Sequence, residues 1–399
     1  MLSYLTAGES HGPQLTAIID GLPAGMPVSL DQINFQLARR QKGYGRGGRM
    51  KIETDRATIR SGVRSGFTMG GPITLVIANR DWANWTEIMD PLKPVGKNLG
   101  LKKERLAFAT TNPRPGHADL AGGIKWQHHD LRNVLERASA RETAARVALG
   151  ALTRQFLEPF GIMFASHVVQ IGDITLPPEI DRSDLYALVE KSEASEVRCL
   201  DPDISRLMVA AIREAKKKRD SLGGIVEITV GGLPVGLGSF SQWQQRLDAQ
   251  LAAAMMSIPS VKGVEIGLGF AAARKRGSAL HDRIYFDPEG PAAKKGFYRT
   301  SNNAGGLEGG ITNGEDIVVR VAAKPISTLN QPLDSVDVKT KQATKAMVER
   351  TDNCVVPAIA VIGEAMAAMV LADAFMAKFG SDNMAEIERN YRNYLESPY

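Results

Sequence analysis

The sequence predicts an α+β fold, a single domain spanning residues 1–399 and built from two like halves. Three observations predict it. The segment 61–78 returns at 305–322: Gly62, Gly66, Thr68, Gly70, Ile73 and Ala78 meet Gly306, Gly310, Thr312, Gly314, Ile317 and Ala322, at a constant offset of 244 residues. Each copy is followed, after a further segment, by an alanine-rich apolar helix, over 139–156 and 353–378, just past Arg137 and Arg350. No stretch between them has the composition of an interdomain linker, and 43% apolar residues suffice for a full core. A repeated strand–strand–helix unit implies two halves packed about a pseudo-twofold axis.

In chain order, a strand is expected at 3–6, then the polar turn Gly8-Glu9-Ser10-His11-Gly12, then a second strand at 15–19. Ser29 reads as the N-cap of a helix over 30–40. The stretch 38–51, rich in Arg, Lys and Gly and without periodicity, reads as a ligand-ordered loop that closes over an anion. Strand, turn and strand follow over 59–79. The stretch 81–111 receives no role. A loop with Pro113 and Pro115 then feeds the helix at 139, where Ser139 and Glu142 form an S-x-x-E capping box. Ala145, Leu149, Leu152 and Phe156 make one apolar stripe, ended by Pro159 and Gly161. Further on come a strand at 167–174, helices at 184–191 and 204–219, a strand at 225–230, a helix at 242–256 and a short strand at 264–266. Residues 271–296 read as a long polar excursion. The apolar run 355–370 carries Glu364, which points to a buried core helix rather than a membrane span.

The backbone amides of 138–140 sit at a helix N-terminus, where a phosphate is stabilised by unpaired N–H groups and the helix dipole. Arg137 and Arg141 flank that end. Two histidines, His11 and His117, lie in glycine-bounded loops with a hydroxyl or a carboxylate nearby, a placement that suits proton transfer. Loop arginines (Arg40, Arg46, Arg49, Arg114, Arg137, Arg350) with Lys324 exceed what one carboxylate needs and suit two phosphorylated ligands bound together. The net charge of +5 agrees with anionic ligands. No nucleophile elbow, Walker loop or Rossmann fingerprint occurs. Cys199 and Cys354 make neither a zinc motif nor a disulfide framework, and adjacent His128 and His129 point different ways, so no metal is expected. With no signal peptide read at the N-terminus, the expected compartment is the cytoplasm, with no membrane and no nucleic acid as partner.

The motifs GESHG (8–12), RPGHAD (114–119), RASARETAARVALGA (137–151), SIPSVKGVEIG (257–267), SNNAGGLEGGITNG (301–314), KPIST (324–328) and RTDNC (350–354) together resemble the chorismate synthases, in family order and over nearly the whole chain. The resemblance implies a β-α-β sandwich, a homotetramer, and the anti-1,4-elimination of phosphate from 5-enolpyruvylshikimate 3-phosphate with reduced FMN. It assigns His11 as the acid beside the departing phosphate and His117 as the histidine that manages the proton on reduced flavin. Asp352 resembles the carboxylate that works with the flavin to remove the substrate proton. Arg137, Ala138, Ser139, Pro259, Ser260, Gly309, Lys324, Pro325, Ile326, Ser327, Thr328 and Arg350 become flavin contacts. Arg40 and Arg46 fall at positions linked with NADPH; Ser10, Arg49 and Arg114 fall to the substrate. The chain departs from many members at Thr351, where they carry histidine, and at Pro259, where only the backbone can contribute. Two rival readings are an FMN-dependent NAD(P)H oxidoreductase and an RNA-binding protein using 43–51 as an RGG-like segment.

Overall fold

The computed structural model describes residues 2–47, 54–93, 109–349 and 351–398. Strands β1 (Ser3–Ala7), β2 (Gln14–Asp20), β3 (Ala57–Ser61) and β4 (Ile73–Ala78) form an antiparallel sheet in the order β1-β2-β4-β3. Period-two patterning sets its inner face: Leu15, Ala17 and Ile19 of β2 are buried, while Gln14, Ile18 and Asp20 are exposed. The second sheet orders β5 (Met163–Ile171), β6 (Gly224–Gly231), β7 (Val261–Ile266) and β8 (Ile317–Ala323) as β7-β8-β6-β5, with a short edge strand, Ile174–Thr175, beside β5.

The helices are α1 (Leu30–Gln41), α2 (Asp119–Trp126), α3 (Thr143–Leu157), α4 (Leu185–Ala194), α5 (Pro202–Lys217), α6 (Leu247–Met256), α7 (Val356–Phe379) and α8 (Met384–Glu396). Helix α3 packs on β2 and β4, α7 packs on β5 and β6, and the two helices pack on each other. The result is the expected sheet–helix–sheet sandwich. The helices meet closely at Gly150, where any Cβ would overlap Ala365.

The duplication runs further than the sequence match. The turn hairpins Val63–Arg64/Phe67–Thr68 and Leu307–Glu308/Ile311–Thr312 share the 244-residue offset and the same register. Thr68 and Thr312 do one job: each hydroxyl donates to a proline carbonyl (Pro23, 2.5 Å; Pro234, 2.7 Å) and accepts a backbone N–H (Met26, Leu237, both 2.9 Å). Those prolines belong to Gly-Leu-Pro turns after β2 and β6. Apart from inserted elements such as α2, α4 and α5, each half therefore runs strand, strand, helix, strand, hairpin, strand, helix, and the two sheets share one strand order.

Several boundaries differ from expectation. Helix α1 continues to Gln41, so the basic loop begins later than 38, and Arg39 and Arg40 are buried. Ser29 caps α1 as expected (3.3 Å to the Gln32 N–H). Strand β5 starts at Met163 and ends before Gly172. Helix α5 starts at Pro202, because Asp201 accepts the N–H groups of Asp203 and Ile204 (2.8 and 2.9 Å). Helix α6 starts at Leu247, after a single 3-10 turn at Trp243–Gln245. Helices α2 and α8, and the hairpins Ile284–Phe286/Phe297–Arg299 and Asp334–Val336/Ala343–Lys345, were not expected.

Helix α7 is long and apolar enough to cross a membrane, but 83% of its most apolar window is buried inside the fold. Its Glu364 is fully enclosed. Arg39 donates to it twice (2.6 and 2.9 Å), Arg154 once (2.8 Å) and Ser166 once (2.5 Å). Burial alone would raise this carboxyl; Arg39, then Arg154 and Arg198, outweigh it and hold the pKa down at about 2.

Candidate functional site

The loop between β1 and β2 carries His11, and its shape is fixed from three sides. The Ser10 N–H donates to the Glu136 carbonyl (3.0 Å), and Asn79 donates to the carbonyls of Glu9 (3.2 Å) and Gly12 (2.6 Å). Arg141 holds Asn79 (2.9 and 3.1 Å) and the buried Asp55. Against this frame, Glu136 grips His11 at the backbone N–H (2.8 Å) and at Nδ1 (2.9 and 3.0 Å). The indole of Trp85 stacks on the imidazole, with centroids 3.9 Å apart and 26° between planes. Arg132 reaches Glu136 (3.2 Å) and lies over the Trp85 ring. Burial would raise Glu136, but the His11 hydrogen bonds and Arg132 bring its pKa below the usual carboxylate range.

Ser139 begins the helix beside this loop, but not through a capping box. Its hydroxyl accepts the Arg141 N–H (3.3 Å) and donates to Ser10 (3.2 Å), while Glu142 turns to Arg146 (2.7 Å). A 3-10 turn, Ala140–Glu142, precedes α3 and shifts the cap by one residue. The Ala138 N–H is already taken by Val134 (2.9 Å), so the amide cradle is narrower than expected. Arg137 lies at the same edge, bound to Thr6. Arg40 is buried and directed inward, to Thr143 (3.0 Å), the Ala140 carbonyl (3.0 Å) and Asp55 (3.4 Å). Burial, then the neighbouring Arg46 and Arg141 against the pull of Asp55, bring its pKa down to about 10. It braces the start of α3.

His117 belongs to a second cluster. The loop folds so that Asp119, the first residue of α2, accepts Arg114 Nε (2.8 Å), Arg114 Nη2 (3.0 Å) and His117 Nδ1 (2.6 Å). Asp119 is buried, which opposes ionisation, yet His117 and Arg114 hold its pKa far below the ordinary value. Arg114 also donates to Thr328 (2.7 Å), and Ser327 donates to the Gly116 carbonyl (2.7 Å) and accepts from Lys324 (2.9 Å). The KPIST and RPGHAD motifs are thus bonded directly. The Lys324 N–H donates to the Ser260 carbonyl (2.8 Å), where Ser260 takes a left-handed φ of 76° beside Pro259. The Ile326 carbonyl accepts from Ser221 (2.9 Å). Burial and the facing Lys262 lower the Lys324 pKa, a repulsion that a bound anion would relieve.

Asp352 forms the third group. It accepts the Gly47 N–H (2.5 Å) and pairs with Arg46 (3.4 Å), while the Asn353 N–H donates to the Gly45 carbonyl (2.8 Å). The beginning of the basic loop therefore lies on the RTDNC motif. The three groups are chained together. Helix α2 packs on the turn Arg132–Leu135 that leads into Glu136, and Arg132 lies 3.7 Å from Glu349, just before the RTDNC motif. Arg49 and Arg350 lie outside the described residues. Gly309 is not brought to these groups: its hairpin packs on Arg246 and Leu247 at the start of α6, about 15 Å of helix away from Ser260 beyond its end.

Among the described residues, no group of three His, Cys, Asp or Glu is arranged to hold a metal ion. A cleft of about 530 Å³ is lined by Lys42, Arg46 and Lys216 against Glu193 and Glu196, so acids and bases are mixed along its wall. The carboxylate expected beside His117 is Asp119, two positions away in the same motif. Glu136, Trp85 and Arg132, the groups around His11, were not expected; they are distant in sequence and left no local signal.

A family model described as chorismate synthase matches residues 2–376. The chain is 56% identical over 398 residues to the chorismate synthase of Geobacter sulfurreducens (strain ATCC 51573 / DSM 12127 / PCA), covering 99% of each chain. It is 54% identical over 397 residues to that of Symbiobacterium thermophilum, again with 99% of each covered. A solved structure titled "Crystal Structure of Chorismate Synthase" superposes with a TM-score of 0.77 at 44% identity, covering 99% of this chain and 97% of that one.

Proposed function

The chain belongs to the chorismate synthase family, and from that premise we propose how its residues divide the work. The reaction is that of a carbon–oxygen lyase: 5-enolpyruvylshikimate 3-phosphate loses phosphate and a proton across a 1,4 relation, giving chorismate. The C–O bond breaks with its electron pair leaving on phosphate, and a ring C–H bond breaks to supply the new double bond. The family uses reduced FMN. The donor set fits that group: Arg137, Ser139, Lys324, Ser327 and Thr328 all offer hydrogen-bond donors or positive charge, and Lys324 faces Lys262 rather than a carboxylate. When bound, reduced FMN supplies electron density to the electron-deficient ring of the substrate.

The chain's own residues do the rest. His11, whose Nδ1 is held by Glu136, delivers a proton from Nε2 to the departing phosphate. Ser10 and Arg114 orient the substrate, and Arg114, fixed by Asp119 and Thr328, stabilises charge on the leaving oxygens without having to reorganise. His117, in the same Asp119 pair, manages the proton balance beside the flavin site. Asp352, oriented by the Gly47 N–H and Arg46, receives the ring proton. Arg49 and Arg350 add charge to the substrate and flavin sites. Pro259, Ser260, Pro325 and Ile326 shape the flavin pocket with backbone groups. The observation that carries this reading is the pairing of two loop histidines with two buried carboxylates, Glu136 and Asp119, each beside a set of anion donors.

The proposed assembly is a cytoplasmic homotetramer. Two features support it: Gly309 stands apart from the other flavin residues of its own protomer, and Phe240, Trp243, Phe270 and Phe286 are exposed. NADPH is the proposed reductant of the flavin, with Arg46 as its contact and Arg40 bracing the helix behind it. The test mixes the enzyme anaerobically with dithionite-reduced FMN and the phosphorylated substrate. Chorismate should appear with no stoichiometric loss of reduced flavin. Steady NADPH oxidation without chorismate would instead identify an oxidoreductase, and NADPH replacing dithionite would support self-reduction.

A further inference from the structure

We propose that Trp85 and Glu136 are positioning residues that clamp His11 in one tautomer and one ring plane, with Nε2 as the nitrogen that carries protons to and from the phosphate. The inference rests on the role given to His11 above. Glu136 engages only Nδ1 among the ring atoms, through both carboxylate oxygens, and also takes the His11 backbone N–H. An ionised carboxylate only accepts hydrogen bonds, so Nδ1 must keep its proton. A neutral His11 then carries its lone pair at Nε2, the ring nitrogen at which a proton is gained and lost.

Glu136 alone leaves the ring free to rock about its hydrogen bond. Trp85 removes that freedom by lying 3.9 Å from the imidazole and nearly parallel to it. The indole is itself fixed: its Nε1–H donates to Asp81 (3.1 Å), Asp81 also accepts from Asn84 (2.7 Å), and the side chain is buried. Arg132 ties the two halves of the clamp, bonded to Glu136 and lying 5.3 Å from the Trp85 ring centre. The charges that reach the ring, its carboxylate and its stacking partner among the described residues are Glu136, Arg132 and Asp81, with Glu349 beyond Arg132. The 3-10 turn Arg80–Asn84, in a stretch with no role legible in the sequence, thereby serves the reaction through Trp85.

The test uses full-length enzyme with ¹⁵N-labelled histidine, the His11 signal being identified by its loss in His11→Asn. At a pH where the ring is neutral, native His11 should carry its proton on Nδ1 and none on Nε2. Glu136→Ala and Trp85→Leu should each mix the tautomers or broaden the signal. Each should lower single-turnover elimination about 10–100-fold, within the span of a positioned proton donor, with substrate KM changed less than about threefold. Trp85→Phe keeps an aromatic face and should recover most of the rate. An Nδ1 without a proton in the native enzyme overturns the clamp, even if a variant fails to fold. So do parent-like rates in both Glu136→Ala and Trp85→Leu. A fully active His11→Ala enzyme, by contrast, sinks the role given to His11 and leaves the tautomer measurement to judge the clamp.

Discussion

Ser139 shows how one hydroxyl serves fold and site together. It caps the turn that opens α3 and reaches Ser10 in the His11 loop. Ser139→Ala should cost ~1 kcal/mol of stability, as lost caps do, and weaken FMN binding several-fold. Denaturant unfolding and flavin titration check the two parts; unchanged FMN affinity would leave Ser139 as a cap only. Asp119 makes a sharper case, since it is buried and accepts from both Arg114 and His117. Asp119→Ala leaves a guanidinium without its partner, and breaking such a pair typically costs ~3–5 kcal/mol. Thermal unfolding should show the loss. At this scale the sequence exposes residue types but not partners. His11 and Glu136 are 125 positions apart, and nothing local to either marks the contact, whereas His117 and Asp119 lie in one hexapeptide.

Among the elements, α7 runs through the core and carries a buried acid, Glu364. Glu364 has a folded pKa of about 2 against an ordinary 4.5. A depressed carboxyl stabilises the fold above its unfolded pKa and loses that contribution as pH falls toward the folded one. The melting temperature should therefore hold steady above about pH 5 and drop between roughly pH 4.5 and 2. Glu364→Gln should flatten that drop while lowering stability at neutral pH, because Arg39 and Arg154 lose a buried counter-charge and keep only Glu193 and Glu158. A parent-like acid profile in this variant would assign the drop to other carboxylates. The core elements were legible because their periodicity is strong: alternation in β2 and the Ala145–Phe156 stripe in α3. Helix α8 also carries a signal, with Asn383 as N-cap and Met384 and Ile387 buried one turn apart, but it follows the long apolar run of α7. Helix α2 is shorter and holds two glycines, so propensity argues against it. It forms because Gly122 and Gly123 pack directly on Val134 and Leu131.

For the whole molecule, the glycine and threonine repeat pointed to two halves, and the shared strand order with the paired Thr68 and Thr312 turns extends it to nearly the full length of each half. The functional residues break that symmetry. The loop after β1 carries His11, whereas the segment after β5 leads to the edge strand and α4. If four copies assemble, light scattering should return a mass near four times 43.1 kDa, and a monomer mass would overturn the proposed assembly. In the proposed reaction two histidines held by buried carboxylates, Glu136 and Asp119, move the protons of an elimination whose ligands are gripped by arginines. Anaerobic stopped flow with enzyme in excess, saturating reduced FMN and substrate, checks those roles by following chorismate in one turnover. His11→Ala and His117→Ala should each slow that turnover by about 10²–10⁴-fold while ligand affinity changes little. A histidine variant that forms chorismate at the parent rate under saturation would show that its imidazole transfers no proton in the elimination.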